Sequence, residues 1–420
     1  MKLTSSTLGE ICDEVNGVIQ TGPFGSQLHE SDYVQSGIPV VMPKNIVDGR
    51  VSTEDIAHIS EEDVRRLHRH KLRIGDIVYG RRGDIGRRAL IAERENGWFC
   101  GTGCLKVGLG ETVLNPTYLY YYLGQASVIN WIANQAIGAT MPNLNTSILR
   151  SVPITYPPLS VQKAIAATLS AYDNLIENNT RRIEILEEMA QMLYREWFVN
   201  LRFPWPGKER MGRTNIARLP DGWTASSVGF LAEDVRRSVD PAELDPETPY
   251  IGLEHMPRQS IALSEWGAAK QVQSTKLKFY RGEILFGKIR PYFHKVGLAP
   301  VDGVCSSDAI VIVPKKEEWL SLVLCCVSSG DFVRQATQTS QGTKMPRANW
   351  DVLARYPVAL PKEGVLRQFN DILTPILDLI RTLIFCNRNL KQTRDLLLPR
   401  LISGEVSVEH PETEPATQIS

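Results

Sequence analysis

The chain has 420 residues, enough for two or three domains, and a globular make-up of 43% hydrophobic and 22% charged residues. No stretch reaches the ~20 uninterrupted apolar residues of a membrane helix, and the opening MKLTSSTLGEICDEV has no apolar signal core, so the chain reads as cytoplasmic, with no membrane partner. The formal net charge is zero, which removes bulk electrostatics as an argument for nucleic acid, and seven scattered cysteines without a CxxC pair argue against disulfides and zinc.

Residues 1–155 form a mixed segment of short apolar runs and turns. Its charge is segregated: from Arg65 to Arg88 there are nine Lys and Arg against two Asp, while Glu61-Glu62-Asp63 precede them. His68 and His70 stand two apart among arginines, a poor setting for a metal, and read as solvated surface. Gly80-Arg-Arg-Gly83-Asp-Ile-Gly86 has the glycines of a phosphate loop but lacks the Lys-Ser/Thr that holds nucleotide and magnesium. Asn115-Pro-Thr-Tyr118 is close to the Asn-Pro-Pro-Tyr of adenine methyltransferases. The second proline is missing and no Gly-rich cofactor loop lies upstream. It reads better as the cap and first turn of one helix, YLYYYLGQASVINWI.

A Pro-rich hinge, Val152 to Pro158, leads into a long helical pattern over 156–203. Its apolar seam, Leu169, Tyr172, Ile176, Asn179, Ile183, Leu186, Ala190, Leu193 and Trp197, alternates steps of three and four, a heptad. At ~1.5 Å per residue, a helix from Val161 to Trp197 would be roughly 55 Å long. Residues 200–223 read as a linker into a second mixed segment, 204–359. A second hinge, Tyr356 to Pro361, leads into a second seam over 360–406: Leu366, Phe369, Leu373, Ile376, Ile380, Leu383, Asn387, Leu390, Arg394 and Leu397. Pro375 predicts a kink or a broken first turn there. Asn179 and Asn387 put a polar group in each seam, a common way of fixing register. The helices read either as an antiparallel pair holding the mixed segments at opposite ends of a rod or as ordinary amphipathic helices on their own domains. The polar tail, 407–420, reads as disordered.

The two halves repeat. Gly138, Met141, Pro142 and Asn145 recur 204 positions later as Gly342, Met345, Pro346 and Asn349, and Pro153 and Pro157 recur as Pro357 and Pro361. Upstream, Gly75-Asp-Ile-Val-Tyr-Gly80-Arg-Arg matches Gly282-Glu-Ile-Leu-Phe-Gly287-Lys-Ile-Arg290 at an offset of 207. The starts, Leu8 to Val15 and Val228 to Val235, pair less clearly. Such order-preserving repetition indicates a duplicated unit.

Gly22-Pro-Phe-Gly25-Ser-Gln-Leu28, Asp32-Tyr33-Val, Gly37-Ile-Pro-Val40 and Pro43-Lys44-Asn45-Ile46 resemble the opening of a type I restriction-modification target recognition domain. Gly75 to Gly86 resembles that family's central strand-turn motif. Pro157-Pro-Leu-Ser-Val-Gln162 is similar to the lead-in of its spacer helix, and Leu398-Pro-Arg400-Leu-Ile-Ser-Gly404-Glu405 to the end of the second spacer. The second half lacks Gly-Pro-Phe-Gly-Ser, and Pro361 to Gln368 is a weak version of the lead-in. The resemblance implies an α+β specificity subunit with two pseudo-repeated α/β recognition domains separated by two long antiparallel, coiled-coil-like spacer helices. Each domain would read half of a bipartite double-stranded DNA target. The helices would set the gap and dock two methyltransferase subunits, and motor-nuclease subunits would join for cleavage. The chain itself would be no enzyme and hold no cofactor; S-adenosylmethionine, ATP and magnesium would belong to the partners.

Base readout needs side chains that reach base edges in the major groove. The expected contacts are Lys44, Asn45, Arg81, Arg82, Arg87 and Arg88 in the first segment and Lys288, Arg290, Tyr292, His294, Lys295 and Lys344 in the second, with the loops around Thr140 and Thr343. Each could instead contact phosphate, which positions without specifying sequence. Two other readings stay open: a fused methyltransferase or nuclease, which would need a cofactor loop or acidic metal cluster, and a coiled-coil assembly scaffold without DNA specificity.

Overall fold

A computed structural model of the chain describes residues 3–110, 113–135, 143–204 and 219–407. The fold is α+β. The chain divides into two compact units: residues 1–173 with 392–420, and residues 174–391.

In the first unit, a four-stranded antiparallel sheet has the order Val18–Thr21, Cys104–Gly108, Ile77–Gly80, Arg88–Leu90. The apolar run Ile77-Val-Tyr-Gly80 is buried along its whole length, as a short apolar run between neighbours on both sides must be. The turn before it needs a residue with positive φ, supplied by Gly75 at +85°. The second unit repeats this sheet strand for strand, in the order Ala232–Asp234, Ala309–Pro314, Ile284–Gly287, Val296–Leu298, with Gly282 at +86° before its central strand.

Each unit has another sheet with one parallel pairing: Phe99–Cys100 beside Ile38–Val41 in the first, Gly303–Cys305 beside Pro249–Ile251 in the second. Each is also clipped shut by a two-stranded ribbon. Thr4–Thr7 pairs antiparallel with Pro153–Tyr156, and Thr224–Ser227 with Pro357–Leu360. Of the prolines recognised as repeats, Pro153 and Pro357 thus begin equivalent strands. Asn145 and Asn349 are equivalent helix caps, accepting from Ile148 N at 2.9 Å and Asp351 N at 3.0 Å. Gly138, Met141 and Pro142 lie outside the described residues, as do most of the 200–223 linker and nearly all of the 407–420 tail.

Asn115 caps a helix with Pro116 in its first turn, as expected. The single helix expected from Tyr118 is instead two, Pro116–Tyr122 and Ala126–Gln135. The break has a cause at Gly124, where a Cβ would lie 1.7 Å from an Arg88 guanidinium nitrogen. The interruption admits the Arg88 side chain, which donates to Tyr120 O at 3.1 Å and stacks 4.8 Å from its ring. Gln162 explains the helix lead-in: fully buried, its amide accepts from Asn115 N and donates to Val113 O and Pro157 O.

The long helices run Leu159–Tyr194, followed by a π-helical turn to Val199, and Glu363–Ser403. The second continues unbroken through Pro375. Burial of Phe369, Leu373, Ile376 and Ile380 holds the helix on both sides of the lost hydrogen bond, whose cost is about 3 kcal/mol. In the second unit the helices pair antiparallel. Asn179 Nδ2 donates to Asn387 Oδ1 at 3.0 Å, Asn387 Nδ2 donates to Thr180 Oγ1 at 3.2 Å, and the rings of Trp197 and Phe369 lie 5.7 Å apart. Ile183, Ile380 and Leu383 are buried in this unit's core, Leu186 packs against it, and Ile176 and Leu390 are half-buried. In the first unit Arg394, a polar seam position, pairs with Asp173, which also accepts from Tyr121 Oη. Leu169 packs there with Leu397, Leu398 and Leu401.

Candidate nucleic-acid interface

The two central strands end in equivalent hydrogen-bond frames. In the first unit, Gly80 N donates to Arg87 O, Arg81 N to Gly103 O, and Leu144 N to Arg81 O. In the second, Gly287 N donates to Lys295 O, Lys288 N to Asp308 O, and Ala348 N to Lys288 O. Both frames therefore gather three loops around the end of one buried strand. The rim residues differ, and the loop after the strand is one residue longer in the second unit.

In the first unit, the rim carries most of the expected bases. Lys44 and Arg82 are exposed, and among the described residues neither side chain has a partner. Arg87 is exposed, donates to Pro43 O at 3.4 Å and lies 3.9 Å from Asp84. Arg81 is half-buried and braced by its Nε to Leu144 O at 3.2 Å. Its guanidinium sits 5.9 Å from the Phe24 ring, which is 54% exposed. Two expected contacts have their polar groups used within the fold. Asn45 is 1% exposed; it accepts from Met42 N at 3.1 Å and donates to Glu54 O at 3.2 Å, so it locks its own turn. Arg88 spends its guanidinium on Tyr120 and on Gly86 O. His70, read as solvated surface, is 2% exposed and packs 5.8 Å from the Phe99 ring. Its Nε2 accepts from Arg69 at 3.1 Å, its Nδ1 has no partner, and burial pushes its pKa down to about 4, Arg69 and Lys106 adding to the effect.

In the second unit, Arg290 and Lys344 are exposed on facing loops, with Arg290 Nη2 donating to Lys344 O at 3.3 Å. Lys288 Nζ caps Ser307 O at 2.6 Å. Arg290 and His294 both have left-handed backbone, at φ 49° and 51°, flanking the turn Pro291–Phe293 that presents Tyr292, 51% exposed. Strain of this kind, ~1–3 kcal/mol per residue, persists only where the surroundings over-determine it, and it concentrates at functional sites. His294 points inward, with Nε2 2.9 Å from Ser328 O. Lys295 donates to Leu253 O, and its burial lowers its pKa. These two side chains shape the loop instead of lining its surface. The loop around Thr140 lies outside the described residues.

Several rim residues escaped sequence reasoning. Phe24 lay inside a recognised motif but has no hydrogen-bonding group to suggest contact. Arg347, 3.7 Å from Asp308, and Glu254 come to the second rim through folding. Glu254 sits where the first unit has Lys44: His255 Nδ1 accepts from Gly252 N at 2.9 Å, just as Asn45 accepts from Met42 N. The same turn is thus locked by different residues and shows opposite charge. Among the described residues, no three His, Cys, Asp or Glu converge as a metal site would, and no helix is long and apolar enough to cross a membrane.

Residues 4–188 match the family model described as the type I restriction modification DNA specificity domain. The chain is 24% identical over 389 residues to the type I restriction enzyme MjaIX specificity subunit of Methanocaldococcus jannaschii, covering 90% of this chain and 89% of that protein. It is 22% identical to the type I restriction enzyme HindI specificity subunit of Haemophilus influenzae, covering 85% and 93%. Its fold is similar to the crystal structure of the type I restriction-modification system S subunit from M. genitalium, with TM-score 0.55, 15% identity and 96% of both chains covered. Residues 4–188 thus match the type I DNA specificity domain, the second unit repeats that domain's backbone frame, and the chain as a whole is similar to type I restriction-modification specificity (S) subunits over most of their length.

Proposed function

We propose that residues 1–155 and 204–359 are two target recognition domains, each reading one half of a bipartite double-stranded DNA target. The helices over 156–203 and 360–406 set the gap between the half-sites and dock two methyltransferase subunits. Methylation and cleavage belong to those subunits and to motor-nuclease subunits, which bring S-adenosylmethionine, ATP and magnesium. This chain carries the specificity. The observation that supports this most is the pair of equivalent backbone frames bearing different rims, Lys44, Arg81, Arg82 and Arg87 against Glu254, Lys288, Arg290 and Lys344. A shared frame with unlike side chains is what two readers of unlike sequences require, because base identity is read by donor and acceptor patterns and the backbone only presents them.

The test is methylome sequencing of the host with and without this gene, followed by binding of the assembled complex to the motif found. The expected motif is split, and replacing the first-unit rim changes one half of it. A continuous motif, or a split one whose halves both change, refutes the reading.

A further inference from the structure

In the second unit, the first long helix grips the loop that bears Tyr292. Glu187 Oε1 accepts from Ser260 Oγ at 2.7 Å, Ile261 N at 2.8 Å and Ala262 N at 2.9 Å. One turn on, Gln191 Nε2 donates to Ser328 Oγ at 2.8 Å and Cys325 O at 3.3 Å. Ser328 O holds His294 Nε2, and His294 O accepts from Gln259 N at 2.9 Å, beside Ser260. The circuit closes around a small cavity of about 40 Å³. The second long helix supports the same region, with Lys391 pairing to Glu265 at 2.8 Å and the Arg388 guanidinium 3.6 Å from the Trp266 ring.

Two features set this circuit apart from ordinary packing. Glu187 is a carboxylate taken out of water, and burial raises its pKa. An apolar side chain would hold the contact without that cost, whereas three convergent hydrogen bonds fix an orientation. The circuit also ends on His294, one of the two left-handed residues that shape the turn under Tyr292. Among the described residues, the first unit has no such arrangement. Its loop closes one residue sooner, between Gly80 N and Arg87 O, and ends in Gly86 against Ile129 of its own unit.

We propose that Glu187 and Gln191 are positioning residues for target recognition: they lock the loop Lys288–His294 to the first long helix and so set discrimination at the half-site read by the second unit. This rests on the recognition role proposed above, and the first half-site serves as its internal control. The experiment uses the full chain assembled with its methyltransferase subunits. Binding is measured to the target and to single-mismatch duplexes in each half, for the unaltered chain and for Gln191→Ala, Glu187→Ala and Glu187→Gln. The expected result for both alanine variants is about a tenfold loss of discrimination, ~1.4 kcal/mol, at the second half-site only. Glu187→Gln, which keeps an acceptor oxygen for the same three donors, retains it. Should Glu187→Ala fail to fold, Gln191→Ala, which removes no buried charge, decides. Equal loss at both half-sites, no loss at either, or a loss from Glu187→Gln as large as from Glu187→Ala overturns the proposal. An unaltered complex that binds target and random DNA alike refutes the recognition role itself.

Discussion

A base on a loop says little until its partners are known. Asn45 and Arg82 were both candidates in the sequence, polar residues beside turns, with Arg82 the stronger because it follows the central strand motif. Asn45 is the lock of a turn, so Asn45→Ala is expected to cost about 1–3 kcal/mol of stability by leaving Met42 N and Glu54 O without partners. Exposed Arg82 is expected to do the converse. Arg82→Ala leaves the melting temperature unchanged and weakens DNA binding by about 1–3 kcal/mol if it reads a base, selectively for the first half-site. A uniform loss on target and random DNA with a shallower salt dependence would make it a phosphate contact. His70 supplies a pH test. Its folded-state pKa of about 4 lies below the unfolded value near 6.5, so its contribution to stability is complete above about pH 6.5 and is lost as pH falls toward 4. His70→Phe removes that titration. The stability gap between the two proteins should shift in the variant's favour by an amount approaching about 3 kcal/mol over this window, measured by denaturant unfolding at each pH; a pH-independent gap would show that the ring is not held neutral. Burial of His70 was not legible because its neighbours in sequence, His68 and Arg69, are both exposed, whereas the ring that covers it, Phe99, comes from a distant strand.

Among the elements, the long helices were the most legible. Their seams are written locally, every three or four residues, and each named seam position lies buried or half-buried. The polar seam pair Asn179 and Asn387 meets within the second unit at 3.0 Å. Asn179→Leu leaves Asn387 Oδ1 without its donor, Asn387→Leu leaves Asn179 Nδ2 without its acceptor, and each should destabilise by about 1–3 kcal/mol. Replacing both should come close to neutral, because no orphan remains. A double-mutant cycle by thermal unfolding measures the difference, and additive losses would mean that the two amides do not act as a pair. At two points tertiary contacts overrode a local signal. Arg88 reaches in to split the expected helix after Tyr122, and buried neighbours carry the second long helix past Pro375. The second rim was only partly legible. Lys288 and Arg290 follow a recognisable strand, and Arg347 lies inside the repeated Met345–Asn349 stretch where the first half has Asn143, but Asp308 and Glu254 reach the rim from loops with no shared motif.

For the whole molecule, the proposed spacer role makes a quantitative claim. Adding one heptad to both long helices keeps each seam in phase and lengthens each helix by about 10 Å. The tolerated gap between half-sites is then expected to grow by about three base pairs, given ~34 Å per ten-base-pair turn of DNA. Selection from random-gap duplexes with the assembled complex reads the gap, and an unchanged preference would remove the spacer role. The ribbons that clip each unit shut carry a consequence for inheritance. Because Thr4–Thr7 lies against Pro153–Tyr156, and Thr224–Ser227 against Pro357–Leu360, the coding segment for each unit begins and ends at the same spot in space. A genetic crossover that exchanges the stretch between those ribbons delivers a new rim with both of its joints already matched. Under the recognition role proposed above, the host would thereby acquire a new half-target in one recombination event, without redesigning a helix.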